Sequence, residues 1–426
     1  MLDPAREAIV SMVLSQTVQF DILIIGGGAA GITVAAMLRG KVHGRIAIVD
    51  PAETHAYQPG WTLVGGGVFS LEQTIRPEAS LIPKGVEWIR KPAASFHPDQ
   101  NVVALVDGTI IGYNYLIVCP GLQLDWGKIE GLTDTLGING VCSNYRGDLA
   151  VYTWDCIKSF RDGQMIFTQP PMPIKCPGAP QKIAYLAADH LRKTGKRAGA
   201  DIAFCTSLDT LFGVGFFVPA LKAAMQRHGI EVNYKTTLKA IDGKAKQAIF
   251  SVTGADGTIS ETVRGFDMIH VTPPQSAPDF LKSSPIANAA GFVDVDQATM
   301  QHVRYPNVFS LGDAVSTPNS KTAAAVRMQA PVVVRNLMAA MRSEPSRVAY
   351  DGYGACPLTT GYGEIVLAEF AYGGKVTPSF PIDPRKPSYA SWLLKTKILP
   401  YVYWNMMLKG SEFDIGHKER QFADVV

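Results

Sequence analysis

Alternating apolar runs and turn residues predict two α/β units along the chain. In the first unit, an apolar, β-branched run at Asp21–Ile25 is followed by a glycine-rich turn and then by Ile32–Arg39, whose composition is helical. A second apolar run at Arg45–Val49 completes the strand–helix–strand order that builds a buried parallel sheet. The second unit repeats this order at Asp201–Thr206, Asp209–Arg227 and Glu231–Tyr234.

Other short β-branched runs predict strands around these units, at Val86–Ile89, Asn101–Val106, Tyr115–Val118, Ala248–Val252, Met268–Val271 and Val308–Leu311. The last of them precedes a predicted helix at Lys321–Met338, which we expect to be kinked at Pro331. Because this strand and helix return after a complete second unit, we predict a first domain that is interrupted by the second. The predicted division is 19–125 with 292–345, then 126–291, and a C-terminal region at 346–426.

Composition supports a folded protein with a large core, since 47% of the 426 residues are apolar and 18% are charged. The formal net charge of +3 is small for this length and argues against nucleic acid as a partner. Six cysteines are too few for a disulfide scaffold, and we predict no metal site. The chain has no run of roughly 18 apolar residues, so we predict no transmembrane helix.

The turn after the first strand carries Gly26, Gly28 and Gly31 in the spacing G-x-G-x-x-G. Such glycines allow a tight turn, a close backbone approach to a pyrophosphate, and close helix–strand packing. Asp50 ends the next strand, roughly 20 residues further on, where an acid binds a ribose hydroxyl. This combination predicts dinucleotide binding at the start of the following helix.

A Gly-Asp pair, Gly312 and Asp313, follows the late strand and precedes the last long helix. At a strand end such a pair can bind the ribityl or pyrophosphate part of a flavin. The turn of the second unit reads TSLDTLFGVG and lacks the glycine motif, which argues against a nicotinamide cofactor there. We therefore predict an α/β fold with two Rossmann-like domains of the FAD/NAD(P)-binding type.

Cys176 lies in the sequence IKCPGAPQKIAYL, just before a helix predicted to start near Pro180. The dipole of that helix and the neighbouring Lys175 both favour a thiolate, although a buried structural cysteine has the same local sequence. Cys119 is interpreted as a small buried residue. Cys356 follows much later, in DGYGACPL.

The C-terminal stretch Ser388–Gly410 is rich in large apolar and aromatic residues, with lysines among them. Its apolar residues include Trp392, Leu393, Ile398, Leu399, Tyr403, Trp404, Met407 and Leu408, and its lysines are Lys395, Lys397 and Lys409. The stretch is too interrupted to span a bilayer, but it could lie in the membrane interface. The alternative is a core or dimer helix, and the oligomeric state stays open.

The chain resembles the sulfide:quinone oxidoreductase family of the flavin disulfide-reductase superfamily, in the type found in animal mitochondria and many bacteria. The resemblance covers about Phe20 to Gly410 and rests on HAYQPGWTLVGGG, IKCPGAPQKIAYL, KTGKRAGADIAF, IHVTPPQSAPD, RYPNVFSLGDA, SKTAAAV, DGYGACPL and LPYVYWNMMLKG. It implies that Cys176 and Cys356 are a redox pair. The FAD contacts that it implies, beside the glycine motif, are Ala29, Ala30, Asp50, Gln58, Ala93, Asp313 and Lys321. Asp50 stands where close relatives have Glu, and Cys142 receives no role.

The resemblance implies an enzyme that oxidises hydrogen sulfide through a cysteine disulfide and a persulfide. Two electrons pass through FAD to ubiquinone or a related quinone, and the sulfur leaves to a small acceptor such as sulfite, glutathione or sulfide. The alternatives are a membrane NADH:quinone oxidoreductase of the same fold and the flavin subunit of a cytochrome-linked sulfide dehydrogenase. The absent nicotinamide motif and the cysteine pair argue against the first, and the aromatic C-terminal stretch argues against the second.

The expected location is the surface of a membrane, as a peripheral protein. The N-terminal sequence MLDPAREAIVSMVLSQTVQ carries Asp3 and Glu7 beside one basic residue, Arg6, which is typical of neither a secretory signal nor an Arg-rich transit peptide. This favours a bacterial cell membrane, with the mitochondrial inner membrane as the alternative.

Overall fold

The computed structural model describes residues 18–346, 348–412, 416–420 and 422. The N-terminal segment considered above for targeting lies outside the described residues as far as Thr17. The C-terminal region predicted at 346–426 is described in part. Within the described residues, no helix has both the length and the apolar character needed to cross a bilayer.

The strands, numbered in chain order, divide among two large parallel-type sheets and several small antiparallel ones. They are β1 (Val18–Ile25), β2 (Ile46–Val49), β3 (Thr54–Ala56), β4 (Ile75–Pro77), β5 (Val86–Ile89), β6 (Ala93–His97), β7 (Val102–Leu105), β8 (Ile110–Val118), β9 (Gln123–Leu124), β10 (Val141–Cys142), β11 (Gly163–Gln169), β12 (Ala200–Thr206), β13 (Glu231–Asn233), β14 (Thr236–Asp242), β15 (Gln247–Thr253), β16 (Ile259–Gly265), β17 (Met268–His270), β18 (Gln275–Ser276), β19 (Val308–Ser310), β20 (Gly354–Gly361) and β21 (Glu364–Phe370).

The α-helices are numbered in the same way. They are α1 (Ala29–Leu38), α2 (Trp61–Gly65), α3 (Leu132–Thr135), α4 (Gly147–Ser159), α5 (Ala179–Lys193), α6 (Val218–His228), α7 (Asp279–Lys282), α8 (Ala323–Met341), α9 (Tyr389–Leu393) and α10 (Leu399–Asn405).

The first sheet has the order β5-β2-β1-β8-β7-β6, and β19 pairs with the end of β8. Strands β5, β2, β1, β8 and β19 run parallel, while β7 and β6 form an antiparallel edge. Ile25 pairs with both Val49 and Val118, and Val118 pairs with Ser310. The carboxyl ends of four strands are therefore level, and the segments that follow them meet at one edge.

Helix α1 is buried almost all round, with eight of its ten residues inaccessible to solvent. It lies on the first sheet, and α8 and the turn Met407–Lys409 also pack against it. A helix without a polar face has to be covered on every side. The late chain segments supply that cover, and a Cβ added at Gly410 would lie 2.7 Å from the backbone of Ala36.

The second sheet is parallel throughout, with the order β10-β17-β11-β12-β13. Its strands β12 and β13 confirm the two strands of the second predicted unit, and β17 confirms the separately predicted strand at Met268–Val271, all to within a few residues. The prediction of helix from Asp209 was wrong, because α6 begins at Val218. Leu211, Phe212 and Phe217 are buried, so the chain before α6 fills the core instead of forming a helix.

The C-terminal region begins with the hairpin β20–β21, and β20 packs against α5. Beyond it, α9, a π-helical turn at Leu394–Ile398 and α10 form one winding segment. Its exposed large apolar side chains are Tyr389, Leu393, Ile398 and Tyr401, which we call the apolar ridge. Trp404, Met407 and Leu408 instead belong to the core beside Tyr403. An interfacial role for Trp404 and Leu408 was therefore wrong, and the stretch is partly a core element and partly exposed.

The glycine turn gives a stability prediction with an internal control. A Cβ at Gly31 would lie 1.8 Å from the Gly26 carbonyl oxygen, whereas a Cβ at Gly28 would meet nothing within 4 Å. We expect Gly31→Ala to destabilise the protein by about 1–3 kcal/mol, as overpacking does. Gly28→Ala should keep the thermal midpoint of the flavin-free protein. Differential scanning fluorimetry on both apoproteins measures this, and equal midpoints would contradict the packing argument.

Candidate active site

Cys176 and Cys356 meet in the fold although 180 residues separate them in the chain. Cys176 lies in the turn before α5 and Cys356 lies in β20, so the packing of this strand on this helix creates the contact. Both are free thiols, and their Sγ atoms are 3.5 Å apart. At that separation a small movement closes a disulfide.

The backbone of Cys176 adopts a left-handed conformation with φ of 49°, which non-glycine residues rarely take. Its N–H donates to the carbonyl of Lys321 at 2.9 Å, and its own carbonyl accepts from Ala179 N at 2.7 Å. These bonds hold a sparsely populated conformation in place, which is common at functional sites. The same bonds join the thiol turn to the segment before α8.

Lys182 lies in the buried part of α5, and its Nζ donates to Cys176 Sγ at 3.0 Å. Burial alone would lower the pKa of this ammonium, but the two neighbouring thiols raise the pKa above its ordinary value. The sequence interpretation missed Lys182. The available signal was a lysine directly before the apolar helix sequence IAYLAA, six residues after Cys176.

The two thiols differ in acidity. The hydrogen bond with Cys356, opposed by desolvation and supported by the Lys182 ammonium, holds the pKa of Cys176 well below 9. The same hydrogen bond and complete burial raise the pKa of Cys356. Cys176 is therefore the thiolate of the pair and the better leaving group when the disulfide is attacked.

Lys395 is a second buried cation at this site. Its Nζ donates to the Pro357 carbonyl at 3.0 Å and to Thr359 Oγ1 at 2.9 Å, both on the strand that carries Cys356. Burial and the charge of Lys182 lower the pKa of Lys395 to about 7. Sequence reasoning had grouped Lys395 with the interfacial lysines, and this was wrong because its side chain points into the protein. Lys397 and Lys409 are exposed.

The glycine turn lies at the carboxyl edge of the first sheet, as predicted. Gly26 has φ of 107° and Gly28 is the residue before α1, where no side chain caps the helix. Asp50 follows β2, and its carboxylate accepts from Gly27 N at 2.5 Å and from Ala52 N at 2.7 Å. Free helix N–H groups and an open position at Gly28 are suited to a pyrophosphate.

The late Gly-Asp pair reaches the same edge. A Cβ at Gly312 would lie 3.4 Å from the side chain of Ala30, so the turn after β19 touches the first turn of α1. Ala29 and Ala30 are the first two residues of that helix. The structure thus brings Gly26, Gly28, Ala29, Ala30, Gly31, Asp50, Gly312 and Asp313 to one edge of the first sheet.

Charged side chains connect this edge with the thiols. Asp313 interacts with Lys321 and Lys175, and desolvation nevertheless raises the pKa of its carboxyl. Desolvation also lowers the pKa of Lys321 and of Lys175 to about 8, with Asp313 opposing both shifts. Lys321 Nζ donates to the Val315 carbonyl at 3.0 Å, and Lys175 Nζ donates to Gln58 Oε1 at 2.6 Å. Gln58 therefore belongs to this group.

Ala93 starts β6, the outermost antiparallel strand, and is the candidate farthest from this group in the sheet order.

Glu78 is a residue that sequence reasoning missed. Its Oε2 pairs with His55 Nδ1 at 3.2 Å, and His55 Nε2 meets Tyr403 Oη at 2.6 Å. The buried Oε1 of Glu78 has no hydrogen-bond partner among the described residues and lies beside Gly27. Such an acceptor requires a donor, and a ribose hydroxyl is one.

Taken together, these residues fit FAD. The open glycine turn accommodates a pyrophosphate, Asp50 and Glu78 offer acceptors for hydroxyl groups, and Lys321 offers a cation. By contrast, the corresponding turn of the second sheet, Leu208–Gly215, holds the buried side chains of Leu211 and Phe212. Gln181 Nε2 donates to the Leu211 carbonyl at 2.8 Å and fixes this loop against α5. A nicotinamide dinucleotide would have to displace them.

Comparisons with known proteins agree with this geometry. The chain is 43% identical over 392 residues to mitochondrial sulfide:quinone oxidoreductase of Mus musculus, covering 92% of this chain and 87% of the relative. It is 44% identical over 396 residues to the protein of the same name from Dictyostelium discoideum, covering 92% and 86%.

The solved structure of sulfide:quinone oxidoreductase from the hyperthermophilic bacterium Aquifex aeolicus has the same fold. The TM-score is 0.75 at 21% identity, covering 93% of this chain and 92% of that one. No protein-family model matches the chain. At more than 40% identity across nearly the whole length of two relatives, the chain belongs to the sulfide:quinone oxidoreductase family.

Proposed function

We propose that this chain oxidises hydrogen sulfide at the Cys176–Cys356 pair and passes two electrons through FAD to a membrane quinone. The observation that carries the proposal is the contact of the two thiols, 3.5 Å apart, with the Lys182 ammonium 3.0 Å from one of them. Two isolated structural cysteines would have no reason to share a buried cation.

The chemistry starts from the disulfide form of the pair. Hydrosulfide attacks the sulfur of Cys356, the S–S bond breaks, and the products are a persulfide on Cys356 and a thiolate on Cys176. Lys182 stabilises that thiolate, which favours this direction of cleavage. The side chain of Cys356 is fully buried, which favours hydrosulfide as the attacking nucleophile because it is small.

FAD held at the dinucleotide edge would supply two-electron transfer between the thiol pair and the quinone. We propose that Gly26, Gly28, Ala29, Ala30, Gly31, Asp50, Gln58, Ala93, Gly312, Asp313 and Lys321 hold it. Glu78 is added to this set for its unpartnered Oε1. The ammonium of Lys321 lies beside Asp313 and would supply positive charge to the bound group.

The sulfur on Cys356 then leaves to a small acceptor, and sulfite, glutathione and sulfide are the candidates. We propose that the apolar ridge attaches the protein peripherally to a quinone-containing membrane, because exposed aromatic and aliphatic side chains favour the interface. A bacterial cell membrane and the mitochondrial inner membrane are both candidates, and the two curated relatives described above are named as mitochondrial. The domain division at 125/126 and 291/292 stays a prediction.

The test of this function is an anaerobic titration of the flavin-loaded protein with sulfide. We expect sulfide to bleach the flavin absorbance in the wild type, and a quinone to restore it. Cys176→Ser and Cys356→Ser should each lower sulfide-dependent quinone reduction by orders of magnitude, and the double variant should be little worse than either single variant, since each loss removes the same disulfide.

Cys205→Ala is the matched control, because Cys205 is a buried cysteine of the second sheet with no part in the site. Its turnover and flavin content should be close to those of the wild type. Near-normal sulfide turnover in either active-site single variant would refute the proposed chemistry. Rapid bleaching by NADH instead of sulfide would favour an NADH:quinone oxidoreductase.

Lys182 gives a pH prediction. Its ammonium helps to hold the pKa of Cys176 below the usual value, so Lys182→Met should raise that pKa. The thiolate fraction then falls at neutral pH and returns at alkaline pH. We expect iodoacetamide to label Cys176 of the reduced variant more slowly at pH 7, with recovery at higher pH. Lys182→Arg should retain much of the wild-type profile, and an unchanged profile in Lys182→Met would contradict the role.

The apolar ridge gives a membrane prediction. Leu393→Asp with Ile398→Asp should release the protein from vesicles of mixed zwitterionic and anionic phospholipid, measured by co-sedimentation. Ile259→Asp with Val263→Asp is the matched control, because these side chains are 73% and 59% exposed but lie on strand β16 and not on the ridge. An equal loss of vesicle binding in both double variants would mean that any added surface charge weakens binding, and would contradict the role of the apolar ridge.

A further inference from the structure

Strand β20, which carries Cys356, runs along helix α5 in the same direction. At the start of the helix, a Cβ added at Gly178 would lie 2.7 Å from Cys356 Sγ. Towards its other end, the Asp189 carboxylate lies 3.4 Å from the position of a Cβ at Gly361. The helix between the first and the last of these contacts is about 16 Å long, at ~1.5 Å per residue. The strand between them is also about 16 Å long, at ~3.3 Å per residue. The two elements therefore match in length between their contact points.

Asp189 is buried and holds the tip of the hairpin β20–β21. Its Oδ2 accepts from the backbone N–H of Tyr362, the residue after Gly361, at 2.9 Å. Arg192 and Lys193 pair with the same carboxylate at 2.6 and 3.1 Å. Desolvation disfavours the charged form, but these three partners outweigh it and lower the pKa of Asp189. The acceptor of the Tyr362 N–H is therefore a carboxylate, which makes a stronger hydrogen bond than a neutral group.

The hairpin tip depends on helices for its position. The pairing of β20 with β21 is irregular between Thr359 and Gly361, so the strand ladder is interrupted there. The Thr360 carbonyl at this point accepts from His228 Nε2 at 2.7 Å and from Arg227 Nη2 at 3.2 Å, both on α6. Asp189 supplies the corresponding contact from α5, which is the helix that follows the thiol turn.

We propose that Asp189 and Gly178 are positioning residues for the thiol pair: they fix how far β20 lies along α5, and thereby hold the two Sγ atoms 3.5 Å apart. A slip of β20 by one residue would move Cys356 by ~3.3 Å and turn its side chain to the opposite face of the strand. Smaller shifts lengthen the distance that disulfide closure has to cover. Asp189 is about three helical turns from Gly178, so it acts through the geometry of the pair.

The inference rests on the proposed function, since it assumes that Cys176 and Cys356 alternate between dithiol and disulfide. A pair that is held ready to close favours its disulfide and has a lower reduction potential. Loosening the hairpin tip should therefore shift the equilibrium toward the dithiol. Asp189→Leu removes the acceptor and keeps a side chain of similar size, whereas Asp189→Asn keeps an acceptor for the backbone N–H and loses the charge.

The experiment equilibrates the flavin-loaded protein anaerobically with mixtures of reduced and oxidised dithiothreitol. In this exchange the two thiols lose two electrons, and oxidised dithiothreitol takes them up. Alkylation and peptide mass spectrometry then give the fraction of Cys176 and Cys356 present as thiols. We expect Asp189→Leu to lower the equilibrium constant for disulfide formation by about tenfold, as for the loss of one hydrogen bond to a charged group. Asp189→Asn should recover most of that loss.

Asn336→Leu is the matched control, because Asn336 is a buried tether on another helix. Its Nδ2 donates to the Thr299 and Val348 carbonyls at 3.0 and 2.8 Å, near the end of α8. This variant should lower the thermal midpoint and leave the equilibrium constant of the thiol pair unchanged. An equal shift in Asp189→Leu and Asn336→Leu would overturn the proposal, because general loss of stability would then explain both.

Gly178→Ala tests the other contact point and decides the outcome if Asp189→Leu does not fold. Its added Cβ would push Cys356 away from the helix, so the equilibrium should shift in the same direction. An equilibrium constant equal to that of the wild type in Asp189→Leu or in Gly178→Ala would overturn the role of that residue.

The measurement uses neither sulfide nor quinone, so it separates this inference from the proposed function. A wild-type pair that forms no disulfide at any dithiothreitol ratio would contradict both. A wild-type disulfide with equal constants in all variants would overturn the inference alone. The expected shifts in a protein whose flavin sulfide does not bleach would support the positioning roles and refute the proposed function.

Discussion

The contact between Cys176 and Cys356 is the constraint on which the site depends. It requires β20 to pack on α5, the turn before α5 to adopt an unfavourable backbone conformation, and the segment before α8 to hold that turn through the Lys321 carbonyl. Three separate parts of the chain thus converge on one pair of sulfur atoms. The same Lys321 residue faces Asp313, so the thiols and the dinucleotide edge are positioned by one backbone segment.

Local sequence predicted elements of the dinucleotide edge and the helix that follows Cys176. The strand at Val86–Ile89 has the predicted bounds, α5 begins one residue before Pro180, and the strand before Gly312 is in place. These elements are recognisable because the spacing of apolar residues, the turn glycines and the buried β-branched runs all indicate the same structure. The meeting of Gly312 with Ala30 follows from parallel strands whose carboxyl ends are level.

The rest of the site was not predictable in the same way, because it depends on partners distant in sequence. Lys395, Trp404 and Leu408 have the composition of an interfacial helix, and only the folded chain shows that Lys395 is hydrogen-bonded to β20 and that Trp404 and Leu408 lie in the core. Glu78 became a candidate through an oxygen without a partner among the described residues. Burial and unsatisfied hydrogen bonds are properties of the folded chain, and no local pattern encodes them.

The buried lysines give the site its electrostatic character. The pKa values of the buried Lys321 and Lys395 are lowered to about 8 and about 7, mainly because desolvation disfavours their charged forms. The pKa of Lys182 is raised because thiols lie beside it. In the disulfide form the two sulfur atoms carry no charge, so the lysine ammonium groups have no anionic partner there. An entering hydrosulfide anion, and then the Cys176 thiolate, supplies the missing negative charge, so each step toward reduction neutralises the site.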